Sequence, residues 1–324
     1  MTISAKIVAD SIHATTGKRL TTFELRYPRF IHAEELTHRL LHSSNGDMIE
    51  VIHDGLMYDK NLSRNASSSR AIPVERMIQD VIDDPAMPIH WGKNQPGMHA
   101  KEEHDELVEF ANDKVPREIA WLRARDVAIQ AAERFAKAGY HKQIVNRLLE
   151  PWLHINVVVT ATELENFFKL RIHKDAQPEI HNLALKMTVA MEGSTPRKLF
   201  PGEWHLPYVN QDPGPDSDMV FAYATEHDMP DVIEPAKMLS VARCASVSYK
   251  TVDGKPMTME RAAAIYDKLV KADVFHASPF EHQATPDDAE VSRSMGWRYD
   301  NEFMHGNFVG WISNRKLMEN NFPL

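Results

Sequence analysis

The chain of 324 residues contains a single cysteine, Cys244, which excludes an internal disulfide and any Cys-Cys metal motif and fits a reducing compartment. It also lacks an apolar run approaching the roughly 20 residues of a membrane span. Its first residues do not show the basic-then-apolar order of a secretory signal, so the expected location is cytoplasmic. A surplus of basic charge is missing too. The formal net charge is −9, which argues against a nonspecific hold on duplex nucleic acid and leaves small nucleotides open, since a few local arginines suffice for those. No repeat period or low-complexity tract occurs. What is present, 43% hydrophobic and 26% charged residues, suits one large or two moderate domains with an ample core.

Residues 5–12 and 20–27 alternate as two strands around Thr16-Gly17-Lys18, and Pro28 ends the extended stretch. From Arg29 to His42, Phe30, Ala33, Leu36, Leu40 and Leu41 recur at helical spacing, which predicts a helix with His38, Arg39 and His42 near its end. Residues 63–70, Ser-Arg-Asn-Ala-Ser-Ser-Ser-Arg, form a polar run with two arginines, expected as a loop feeding a helix from Pro73. A helix N-terminus offers unpaired amides to a phosphate, so this run reads as a phosphate cradle. Residues 84–99 read as a long loop, a possible lid. Residues 101–138 read as largely helical with a break near Pro116 and a stop at Gly139, and a further helix ends before Pro151. Trp152–Val159 reads as a strand, 163–173 and 177–191 as helices, and 193–217, with its prolines and glycines, as a connection. Helices near 234–249 and 258–272, a loop at Ser278-Pro279 and an amphipathic piece near 306–319 complete an α+β, helix-rich reading with a small antiparallel sheet. Three portions are expected: 1–192, a connection at 193–233, and 234–324, with the outer two in one compact domain.

Four separated blocks carry the chemistry. They are Thr37-His38-Arg39; Ser63, Asn65, Ser68 and Arg70; Leu170-Arg171 with Ala176-Gln177-Pro178-Glu179-Ile180-His181; and His276-Ala277-Ser278-Pro279-Phe280-Glu281-His282. Together they resemble the flavin-dependent thymidylate synthases, with Ala242-Arg243-Cys244 and Ser248-Tyr249 resembling that family's opening Ala-Arg and Ser-Tyr. The 276–282 block comes first in the family, so the motif order here looks circularly permuted, which adjacent termini permit.

The resemblance implies FAD as cofactor, NADPH and methylene-tetrahydrofolate as co-substrates, and a deoxypyrimidine monophosphate as the acceptor, with dUMP to dTMP foremost. It also implies a homotetramer. Residue by residue, it implies that His38, Arg39, Arg171, His276, Ser278 and Glu281 contact the flavin. Ser68, Ser69, Arg70, Arg147 and His181 would hold the nucleotide, with Ser68, Arg70 and His181 at the reacting base. Arg147 matches less well than Asn146. Departures bear on the substrate: Thr37, Ala66 and Ala71 replace an arginine, a glutamate and a tyrosine, and His181 stands where an arginine touches the pyrimidine. Unlike an arginine, a histidine titrates near neutrality, so the base or the transferred group could differ, as in hydroxymethylation or a dCMP substrate.

Other readings stay open. Val309–Arg315 also faintly resembles the stretch holding Arg-His-Arg. Glu35 and His38, with His42 a turn later, would form one metal-ligand face, but a di-iron bundle needs two such pairs, and the histidines show no spacing of zinc type. A nucleotide-binding relative without catalysis is the third possibility. Cys244 lies within a helical apolar pattern and reads as a core thiol.

Overall fold

Alternation along the first thirty residues builds an antiparallel hairpin, β1 (Ser4–His13) and β2 (Arg19–Pro28), whose turn uses Gly17 at φ +72°. The computed structural model describes residues 3–32, 39–43, 49–53, 62–67, 72–97, 100–251, 254–271, 275–292 and 296–321. Next come β3 (Arg39–Ser43), β4 (Ile49–His53), β5 (Leu62–Ala66), α1 (Val74–Asp83), β6 (Val108–Phe110), β7 (Asp113–Val115), α2 (Arg117–Lys137) and α3 (Lys142–Val145). β8 (His154–Ala161), α4 (Glu165–Arg171), α5 (Pro178–Glu192), β9 (Arg197–Leu199), α6 (Pro215–Glu226), α7 (Ile233–Ser246) and α8 (Met259–Val270) follow. The last elements are a 3-10 turn at Ser278–Glu281, β10 (Ala284–Pro286), β11 (Ala289–Ser292), β12 (Gly296–Tyr299), β13 (Trp311–Ser313) and α9 (Asn314–Asn321).

The main sheet has the order β5-β8-β2-β1-β9, antiparallel except for the β1–β9 pair. One face of it packs on α4 and α5. Phe23, Leu25, Tyr27, Ile155, Val157 and Val159 meet Phe167, Ile180, Leu183 and Met187 there, and Ala66 joins from β5. A second core, under α1 and α2, gathers Val81, Ile129, Val145, Leu149 and Trp152. A third joins α6, α7 and α8 through Val220, Leu239, Ala242 and Ala262. Among the described residues no helix is long and apolar enough to cross a membrane.

Several expectations hold. The hairpin, the helix after Pro73, the irregular 84–97 segment, the strand after Trp152, the helices at 165–171 and 178–192, and α7 and α8 all lie where the pattern puts them. Others need correction. Arg39–His42 belongs to a strand, not the end of a helix: β3 pairs antiparallel with β4, Arg39 opposite His53 and His42 opposite Glu50. The pairing places His42 in a strand, and Glu35 and His38 lie among residues 33–38, outside the described ones. Residues 62–66 form a sheet strand rather than a loop, because β8 supplies a complete antiparallel partner for them. Residues 108–115 form a hairpin, and the helix begins only after Pro116. The connecting stretch holds β9, which adds to the sheet edge beside β1, and the start of α6, with Pro215 in its first turn.

Candidate functional site

β5 carries the first part of the serine-rich block into the sheet, and alternation buries Ser63 while exposing Arg64. Asn307 Nδ2 donates to Ser63 Oγ at 3.2 Å, and Asn65 Nδ2 donates to the Cys244 carbonyl at 2.8 Å, so the strand is tied to α7 and to the segment before β13. Ser68, Ser69 and Arg70 lie outside the described residues, as does His38, and for Arg39 only its β3 pairing is described.

The 3-10 turn Ser278–Glu281 packs against β5 and against α9. Phe280 is fully buried beside Tyr266 and Phe275, which fixes the turn, while His276 and Ser278 stay exposed. Glu281 is half-buried and forms an ion pair with Arg315 of α9. Burial pushes the Glu281 carboxyl above its ordinary value, against the pull of Arg315 and, more weakly, of Arg64. Burial disfavours the Arg315 cation, but its bonds to Glu319 and Glu281 outweigh that and raise its pKa. Arg315 Nε donates to Glu319 at 2.6 Å, and Lys316 reaches the same carboxylate at 2.9 Å. The Arg64 charge also acts on His32, which burial, Arg29 and Arg64 together lower to about 4. Arg64, Glu281 and Arg315 thus form a charged rim where two sequence-distant blocks meet.

The helices that carry Arg171 and Glu179, α4 and α5, share a core with β5 through Ala66, Phe167 and Ile180. Arg171 is buried at the end of α4. Glu179 is buried in the first turn of α5, where its Oε1 accepts the Ile89 amide at 2.8 Å and holds the 84–97 segment. His181 is half-buried two residues later. Arg147 is exposed; it lies 4.0 Å from Glu150, a carboxylate that Arg29 also reaches at 3.1 Å. Its neighbour Asn146 is buried and donates to the Ile72 carbonyl at 3.0 Å, next to the serine-rich block.

Arg243, of the Ala-Arg stretch, is buried and spends its guanidinium on Asp216, with two contacts of 2.8 Å, and on the Tyr208 carbonyl at 2.6 Å. Cys244 beside it is fully buried, and burial pushes its thiol far up, so it stays protonated and is no nucleophile. Sequence reasoning named neither Arg315 nor the buried polar residues under His282 as site residues. The resemblance of Val309–Arg315 pointed toward Arg315, whereas His205, Thr22 and Thr160 carry no local signal.

Residues 62–197 match the family model described as thymidylate synthase complementing protein, Thy1. The 276–282 block lies outside that match. No curated protein matches the chain. Among solved structures, the chain is similar to the UMP/dUMP methylase PolB from Streptomyces cacaoi bound with 5-Br dUMP, at 15% identity over 59% of this chain and 90% of that one, with a TM-score of 0.37. The same methylase bound with 5-Br UMP gives 16% identity, 59% and 88% coverage, and a TM-score of 0.36.

Proposed function

We propose, from the match of residues 62–197 to the family model described as thymidylate synthase complementing protein, that this chain transfers a one-carbon unit to the 5-position of a deoxypyrimidine monophosphate with FAD as cofactor. The observation that carries the reading is the placement of the 276–282 turn against β5, the strand that opens the matched segment. Blocks more than two hundred residues apart in sequence thus share one rim, as a permuted member of the family requires.

The donor set fits a flavin dinucleotide. His276 and Ser278 are exposed with polar atoms able to bond ribose and phosphate oxygens, and Glu281 offers an acceptor beside the cationic Arg64 and Arg315. Bound and reduced by NADPH, the flavin would supply the hydride, and methylene-tetrahydrofolate the carbon. The chain's own residues orient the partners and balance charge. Arg70 would take the nucleotide phosphate in a bidentate grip, Ser68 and Ser69 would bond its oxygens, and Arg147 would approach from the 3-10 segment that follows α3. His181 in the first turn of α5 would face the base, and Arg171, with His38 and Arg39, would favour the electron-rich reduced ring. A homotetramer would complete each site from neighbouring copies.

His181 motivates a second reading within the same chemistry: an imidazole, which can donate or accept, in place of a guanidinium, which only donates, suits a different pyrimidine, such as dCMP, or hydroxymethyl transfer. One assay separates the readings. Purified protein is incubated with FAD, NADPH, methylene-tetrahydrofolate and either dUMP or dCMP, and the nucleotides are analysed by mass spectrometry. A 5-methylated dUMP supports the main reading; a modified dCMP or a hydroxymethyl product supports the second. Unchanged nucleotides, with no flavin bound, would sink both.

A further inference from the structure

Beneath the exposed end of the 276–282 segment runs a chain of hydrogen bonds through the sheet. Ser11 Oγ lies 2.8 Å from His205 Nδ1, and His205 Nε2 lies 2.7 Å from Thr22 Oγ1. Thr22 Oγ1 lies 2.8 Å from Thr160 Oγ1, which lies 2.9 Å from His282 Nδ1. All five residues are buried, none more than 4% exposed. The chain crosses from β1 through the residue after Trp204 to β2, β8 and the end of the 3-10 turn. His282 Nε2, also buried, has no hydrogen-bond partner among the described residues.

Proton counting limits what this chain can be. Burial lowers both histidines to about 3, so each imidazole is neutral and carries one N–H, and each hydroxyl carries one proton. Only two arrangements then satisfy all four links and also give the Thr22 and Thr160 protons an acceptor. In one, His282 Nδ1–H donates to Thr160, Thr160 to Thr22, Thr22 to His205 Nε2, and His205 Nδ1–H to Ser11. In the other every bond reverses, and both histidines carry their proton on Nε2. The two rings therefore share a tautomer. The reversed arrangement leaves a buried His282 N–H without an acceptor, the rarer kind of orphan.

We propose that Ser11, Thr22, Thr160, His205 and His282 act as one polarised relay that holds both imidazoles in the Nδ1–H tautomer and seats the 276–282 segment on the sheet. Ser11, Thr22, Thr160 and His205 are thus positioning residues that act through His282. The consequence for flavin rests on the proposed function; the relay itself is a property of the chain without ligand.

Long-range proton–nitrogen NMR of the full chain labelled at histidine tests it. At neutral pH both His205 and His282 are expected to show a protonated Nδ1 and a bare Nε2. Ser11→Ala deletes the acceptor at the far end, so each arrangement then strands one N–H, and His282 is expected to move to an intermediate pattern although Ser11 does not touch it. Thr160→Val is expected to change His282 while sparing His205, and Thr160→Ser to restore it. Thr160→Val is also expected to weaken FAD binding by about tenfold, with Thr160→Ser near wild type. An Nε2–H tautomer in the wild type, or a His282 spectrum indifferent to Ser11→Ala, overturns the relay. Wild-type protein that binds no FAD instead sinks the functional reading, and the NMR result still decides the relay.

Discussion

His276 and His282 stand six residues apart in one motif and live in opposite environments. The first is exposed at the rim with Ser278, while the second is fully buried, neutral and bonded to the sheet through Thr160. The charged rim of Arg64, Glu281 and Arg315 lies between these extremes. The difference teaches that a short motif can divide its labour: its buried end fixes position by satisfying hydrogen bonds in a low dielectric, and its exposed end stays available to a ligand.

The largest expected break in this contrast is His282→Leu. It keeps the apolar volume but strands the Thr160 hydroxyl and interrupts the relay, at about 2–3 kcal/mol of stability, measurable by urea unfolding. Acid should discriminate next. The pKa values of His205 and His282 are about 3 when folded, against an ordinary 6.5, so below pH 6.5 the unfolded chain binds protons that the folded chain does not. Their stabilising contribution is therefore complete above pH 6.5 and falls as pH drops toward 3, by about 1.4 kcal/mol per pH unit for each histidine. Denaturation midpoints between pH 7 and pH 5 check this, and a flat profile would contradict the burial. A smaller effect is expected at the rim. Arg315→Gln should move the Glu281 carboxyl further up, seen as a later carbon-13 titration, with little loss of stability. The smallest is His276→Ala, expected to change stability by less than about 0.5 kcal/mol while weakening FAD binding, which titration of flavin fluorescence would register.

Legibility in the sequence followed the range of the determining contact. The β1–β2 hairpin was readable because its alternation and the Thr16-Gly17 turn are local, and α5 because Pro178 and the stripe of Ile180, Leu183 and Met187 are local as well. β3 was misread because Leu36, Leu40 and Leu41 mimic a helical stripe, whereas the decision came from its partner Ile49–His53. β5 was misread because Ser63, Arg64 and Asn65 have loop chemistry and become a strand through β8, about ninety residues on. At the site, the matched segment and the 276–282 motif were legible as residue patterns. The relay was not: Ser11 and His205 are 194 positions apart, and nothing near either one announces the other.

The strand order β5-β8-β2-β1-β9 also has a consequence for synthesis. β1 and β2 leave the ribosome before the neighbours that cover their outer edges, β8 and β9, which end at Ala161 and Leu199. At usual translation rates the nascent hairpin waits on the order of ten seconds with unpaired edges. That interval exposes an apolar ribbon to mispairing and to chaperone capture.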